Sequence, residues 1–95
     1  MQVAVIGRGL IGGSLEKAAR RAKHDVVTFD KGEAPAVGDA ELVFVAVPPS
    51  AVVAVVDSIV PALRKGAIVV DVTGIKGAVC AWNGKLPLHE ALCMD

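Results

Sequence analysis

Three glycines at the first, third and sixth places of Gly7-Arg8-Gly9-Leu10-Ile11-Gly12, followed by a carboxylate at Asp30, have the types and spacing to hold a dinucleotide. Gly7 lets the chain turn sharply, Gly9 has no side chain to keep a pyrophosphate from the backbone, and Gly12 lets a following helix pack closely on a sheet. A helix opening at Leu10 and Ile11 would present unpaired N–H groups and the positive end of its dipole to the phosphates, with no basic side chain required. A carboxylate at Asp30 would accept hydrogen bonds from adenosine ribose hydroxyls and repel a 2′-phosphate, which favours NAD over NADP. Arg8 and Lys31 can soften that repulsion and belong to the candidate cofactor set, although each also reads as a solvated surface charge.

A GxGxxG string is a weak signal by itself, and its weight comes from the elements around it. Val3-Ala4-Val5-Ile6 is a continuous apolar run ending at Gly7, as expected of a strand buried on both faces in a parallel sheet covered by helices. From Leu10 to Lys23, the apolar Leu10, Ile11, Leu15, Ala18, Ala19 and Ala22 fall at helical spacing opposite Glu16, Lys17, Arg20 and Arg21. Val26 to Phe29 is a second strand, and it delivers Asp30 to its carboxyl end.

Only 11 residues separate Asp30 from Leu42, read as loop or one helical turn. That is too short for the second helix and outer strand of the full doubly wound fold. The chain therefore crosses from the second strand to the far side of the first, giving the order 2-1-3-4 and a topological switch point where a ligand belongs. Leu42 to Val47 is the third strand, stopped by Pro48-Pro49, and Ser50 is a candidate N-cap for an apolar helix from Val52 to Leu63. Pro61 would kink or end that helix early, with Gly66 as its stop. Ala67 to Val70 forms a fourth strand running into Asp71-Val72, and Gly77 to Asn83 reads as a short helix. The expectation is a single α/β domain over residues 1–95, a reduced Rossmann-like parallel sheet with helices on both faces. Its loops at Ala46-Val47-Pro48 and around Thr73 would border the nicotinamide half of the cofactor.

Composition removes other classes. The chain has 95 residues, with ten acidic and ten basic side chains, so no net field draws a polyanion and nucleic acid is not an expected partner. The longest uncharged run, Leu42 to Val56, is 15 residues with two prolines, too short and too broken to span a membrane. No basic segment precedes the first apolar run as a secretory signal requires, which leaves the cytoplasm as the expected location. Cys80 and Cys93 match no metal-ligand spacing and read as reduced thiols. Asp71 is either a catalytic carboxylate or a partner for loop amides, Lys76 faces substrate or solvent, and His24 is structural. His89 lies in a stretch with no readable period.

Gly9 to Leu15 (GLIGGSL), Leu42 to Pro48 (LVFVAVP) and Asp71 to Gly77 (DVTGIKG) together resemble the nucleotide-binding domain of the prephenate and arogenate dehydrogenases, over about Met1 to Val79. The resemblance implies oxidative decarboxylation of prephenate, or of arogenate, in tyrosine biosynthesis, with hydride passing to the nicotinamide. It implies a small-molecule substrate, and a homodimer built in the family by a helical domain that has no counterpart in these residues. Family members commonly carry a serine in a Gly-Ser-x-Lys-Gly loop, where Gly74 stands here with Thr73 before it. Their catalytic histidine lies in Gly-Gly-His-Pro, which His89 lacks, so no catalytic residue is carried over. Two further readings are a stand-alone NAD-binding or redox-sensing module and an imine reductase-like enzyme using NAD or NADP; the latter would not carry the Asp71 to Gly77 loop.

Overall fold

The computed structural model describes residues 1–7, 9–30 and 37–72, together with the backbone of residues 78–81. β1 (Gln2–Ile6) leads into α1 (Leu10–Arg21) and β2 (Asp25–Phe29), and β3 (Leu42–Val45) leads into α2 (Val52–Ile59) and β4 (Ile68–Asp71); β5 (Ala78–Ala81) follows. The strands form one sheet in the order β2-β1-β3-β4-β5. β1 to β4 run parallel, so the expected order 2-1-3-4 and its switch point between β1 and β3 are present.

β1 is buried along Val3, Ala4, Val5 and Ile6 because it lies between two layers. Ala4 and Ile6 share one core with Val43, Val45 and Val69 of the neighbouring strands and with Val52, Val56 and Ile59 of α2. Side chains alternate across a strand, so Val3 and Val5 point to the opposite face, where α1 packs against β1 and β2. Two connection residues, Val37 and Ala40, also enter the α2 core. The loop reading of residues 31–36 lies outside the described residues.

Five expectations need correction. Ala78–Ala81 is not helical but a strand antiparallel to β4, with Asp71 opposite Ala78 and Ile68 opposite Ala81. Only six residues lie between β4 and β5, half of what a parallel crossover needs, so the chain can only return antiparallel. Ser50 does not cap α2: a 3-10 turn, Pro49–Ala51, precedes the helix, Ala51 is the N-cap, and neither start has a side-chain cap. Pro61 ends α2 as foreseen, by turning residues Val60–Ala62 into a 3-10 turn. Gly66 is consequently not the helix stop. It sits at φ +90° in a turn closed by the Ala67 N–H on the Arg64 carbonyl, the position that demands glycine in a type II turn. β3 ends at Val45 rather than Val47, and the expected apolar face of α1 is largely bare: Gly12 is its one buried residue, and Leu10 is 90% exposed.

α1 closes with Lys23 in the left-handed region at φ 65°. The His24 N–H bonds to the Ala19 carbonyl and the Lys23 N–H to the Arg20 carbonyl, a Schellman pair built without its usual glycine. Arg20 and Arg21 lie in this last turn, opposing the negative end of the dipole.

Candidate functional site

The strand register assembles the candidate residues. Phe29, Ile6, Val45 and Asp71 are successive Cα partners across β2, β1, β3 and β4. The residues that follow them form the next row: Asp30, Gly7, Ala46 and Val72. Main-chain bonds hold this row, from the Gly7 N–H to the Phe29 carbonyl (2.7 Å), Ala46 N–H to Ile6 carbonyl (2.8 Å) and Val72 N–H to Val45 carbonyl (3.1 Å). Three inter-strand steps of about 4.8 Å spread the row over roughly 14 Å of the carboxyl edge.

The glycines of the loop divide by cause. Gly7 has φ +104°, and a Cβ there would run into the Ala46 carbonyl. A Cβ at Gly12 would run into the Gly7 carbonyl, with the Ala46 Cβ at 3.6 Å, so the first turn of α1 rests directly on the backbone of the β1 exit. Gly9 is different: apart from its chain neighbours, no atom of the described residues lies within 4 Å of the place its Cβ would occupy. The fold itself does not require glycine there, and the open space is what the close approach of a phosphate to the backbone needs.

Gly9 is also the N-cap of α1, in extended conformation, with its carbonyl accepting the Gly13 N–H at 2.8 Å. Helix geometry leaves the N–H groups of Leu10, Ile11 and Gly12 without an intrahelical acceptor. Among the described residues no side-chain cap bond is made to them, and no acidic residue lies in the first turn. The positive end of α1 thus lies at the centre of the row with no acid in its own first turn, beside Gly7 and one strand from the exposed Asp30.

The structure therefore brings Gly7, Gly9, Leu10, Ile11, Gly12, Asp30 and Ala46 to one edge, with Val47 and Pro48 following directly from Ala46. Asp71 closes β4 at the same edge, half-buried. His24 lies at the opposite end of the sheet, where β2 begins. Arg8, Lys31, Thr73, Gly74, Lys76 and His89 lie outside the described residues. Sequence reasoning did not foresee the exposure of Leu10 and Ile11, which leaves apolar surface bare at the start of α1. The signal for it was present in Gly12, since a helix that touches the sheet through a glycine so near its start cannot also bury the two residues before it. Among the described residues no three His, Cys, Asp or Glu side chains could hold a metal, and no helix is long and apolar enough to cross a membrane.

Comparison with known proteins agrees with this geometry. The family model described as the prephenate dehydrogenase nucleotide-binding domain matches residues 2–85. A crystal structure of the Synechocystis arogenate dehydrogenase superposes with a TM-score of 0.70 at 24% identity, over 76% of this chain and 32% of that one. At that identity the likeness is one of fold, and the chain spans about a third of the protein it matches. No curated protein matches significantly.

Proposed function

The chain belongs to the prephenate dehydrogenase nucleotide-binding domain family, and from that membership we propose that residues 1–95 are the NAD-binding domain of an oxidoreductase acting on prephenate or arogenate. The observation that carries the proposal is the uncapped start of α1 with open space over Gly9, in one row with Asp30. The residues present fit the cofactor. The backbone of Gly9 and the amides of Leu10, Ile11 and Gly12 hold the pyrophosphate, and the Asp30 carboxylate takes the adenosine ribose hydroxyls. Ala46, Val47, Pro48 and Thr73 border the nicotinamide, with Arg8 and Lys31 flanking the phosphates and ribose. When bound, the nicotinamide supplies a hydride acceptor for oxidation of a cyclohexadienol that loses carbon dioxide. The chain's own part in that chemistry is to bind and orient the cofactor, in the cytosolic setting of tyrosine biosynthesis.

Asp30 sets the preference for NAD. A carboxylate that accepts ribose hydroxyls gains charge-assisted hydrogen bonds of about 1.5–3 kcal/mol, and a 2′-phosphate replaces them with repulsion, so NAD should bind about 10–100-fold tighter than NADP. Calorimetric titration of the chain with each cofactor tests this, beside an Asp30→Ser variant expected to bring the two affinities together. Absence of saturable NAD binding at millimolar concentration, or tighter binding of NADP to the unaltered chain, overturns the proposal.

A further inference from the structure

The amino end of the sheet carries a second concavity, remote from the cofactor edge. It is an open groove of about 310 Å³, lined by Met1, Glu41, Leu42, Arg64, Lys65, Gly66 and Ile68. Leu42 and Ile68 are register partners, so their side chains lie together on one face of β3 and β4. That face is opposite the α2 core, and α1 packs on β1 and β2, so no described helix covers it. Ile68 is 42% and Met1 59% exposed, which gives the groove an apolar floor open to solvent.

Its charges do not cancel. Arg64 and Lys65 occupy the first two places of the turn closed by Ala67, and neither has a carboxylate partner among the described residues. The one carboxylate among the described lining residues, Glu41, already accepts the Gln2 backbone N–H at 3.1 Å. Arg64, Lys65 and the Met1 ammonium against one engaged carboxylate leave the groove net positive beside apolar surface. A carboxylate joined to an apolar body answers both features, the positive charge and the apolar floor. The volume lies at the lower limit of small-ligand sites, about 300–1,000 Å³, and is too small for a protein segment of any length.

We propose that this groove binds a small organic monocarboxylate with an apolar body, its carboxylate between Arg64 and Lys65 and its body against Leu42 and Ile68. The site goes beyond the cofactor function and is separate from it: β3 runs from the groove to the cofactor edge, and Leu42 lies about 13 Å from Ala46 along the strand, at roughly 3.3 Å per residue.

The test is an NMR titration of the labelled full chain with phenylacetate as probe, and with acetate and benzyl alcohol as the charge-only and apolar-only controls. The expected result is saturable amide shifts confined to Glu41, Leu42 and residues 64–68, unchanged by saturating NAD. Both controls should bind at least about fivefold more weakly. Arg64→Ala/Lys65→Ala, two exposed substitutions, should weaken phenylacetate by at least about fivefold, the worth of two exposed charge contacts. Glu41→Gln, which keeps an acceptor for Gln2 and removes the competing charge, should tighten it. Shifts centred on Gly9 to Gly13, equal binding of acetate, competition with NAD, or an unchanged affinity in the double variant overturns the proposal.

Discussion

Replacing Gly9 and Gly12 separately by alanine should divide binding from folding, although the two glycines lie three residues apart in one loop. At Gly12 the new methyl meets the Gly7 carbonyl, far inside the 3.3 Å or so at which a carbon and a carbonyl oxygen ordinarily touch. The obstacle is backbone and cannot swing away, so α1 must retreat by an ångström or more, at a cost at or above the upper end of the roughly 1–3 kcal/mol typical of overpacking. A domain of this size has only about 5–14 kcal/mol to lose. Gly12→Ala should therefore lower the urea midpoint sharply by circular dichroism, and lose cofactor binding as a consequence. At Gly9 the methyl meets nothing, and φ −66° suits any residue. A poorer N-cap costs a few tenths of a kcal/mol to about 1, and a less flexible unfolded chain returns a similar amount, so stability should stay within about 0.5 kcal/mol. Binding is another matter, because the methyl stands where the phosphate approaches the amides. Losing one charge-assisted bond of about 1.5–3 kcal/mol weakens NADH by about 10–100-fold, measurable by nicotinamide fluorescence. If Gly9→Ala destabilises the fold as much as Gly12→Ala, or binds NADH like the unaltered chain, the assignment of Gly9 to the ligand is wrong.

Three further outcomes can be measured on the same chain. Lys23→Gly should raise stability by about 0.5–1 kcal/mol in urea titration, since it relieves the left-handed conformation at φ 65° while keeping the Schellman bonds. Ile59→Ala removes a fully buried side chain from the α2 core and should cost about 2–5 kcal/mol without altering cofactor affinity beyond what partial unfolding explains. Arg8→Ala should weaken NAD by less than about tenfold, because amides rather than a cation carry the pyrophosphate; a larger loss would shift that role to the Arg8 side chain.

The parallel framework was legible because it follows from strong local signals. Apolar runs stopping at Gly7, Asp30 and Pro48 mark strands, of which β1 alone is buried on both faces, and the short interval between Asp30 and Leu42 leaves a crossing over β1 as the economical route. β5 was not legible, since Ala78-Val79-Cys80-Ala81 suits a helix or a strand equally and only the connection length decides between them. Ser50 failed as a cap for a related reason: Pro49 fixes a 3-10 turn first, and the helix starts beyond the reach of the hydroxyl. At the site, the spacing of the three glycines gave their places but not their separate causes. Those causes lie in the Ala46 and Gly7 carbonyls, one brought in by β3 and the other visible only once α1 is docked. Val37 and Ala40 show the same limit, being core residues that no periodicity in a short connection could have distinguished from surface.

The bare start of α1 has an energetic consequence for the chain as a binding domain. A helix capped by Ser, Asp or Asn gains about 1 kcal/mol over an uncapped one, and an acid in its first turn adds a few tenths more. α1 has neither, although its other end carries both a Schellman closure and two arginines. In α1 the omission falls at the end facing the proposed cofactor edge, where a capping side chain would occupy the amides proposed to hold the pyrophosphate. On the proposed function the ligand completes the helix, and its binding energy becomes stability of the fold. At 100 times its dissociation constant a ligand specific for the folded state adds about 2.7 kcal/mol, a large share of what so small a domain possesses. In the proposed function the open start of α1 is part of the binding site, and occupancy of the cofactor edge is linked to the persistence of the sheet that forms it.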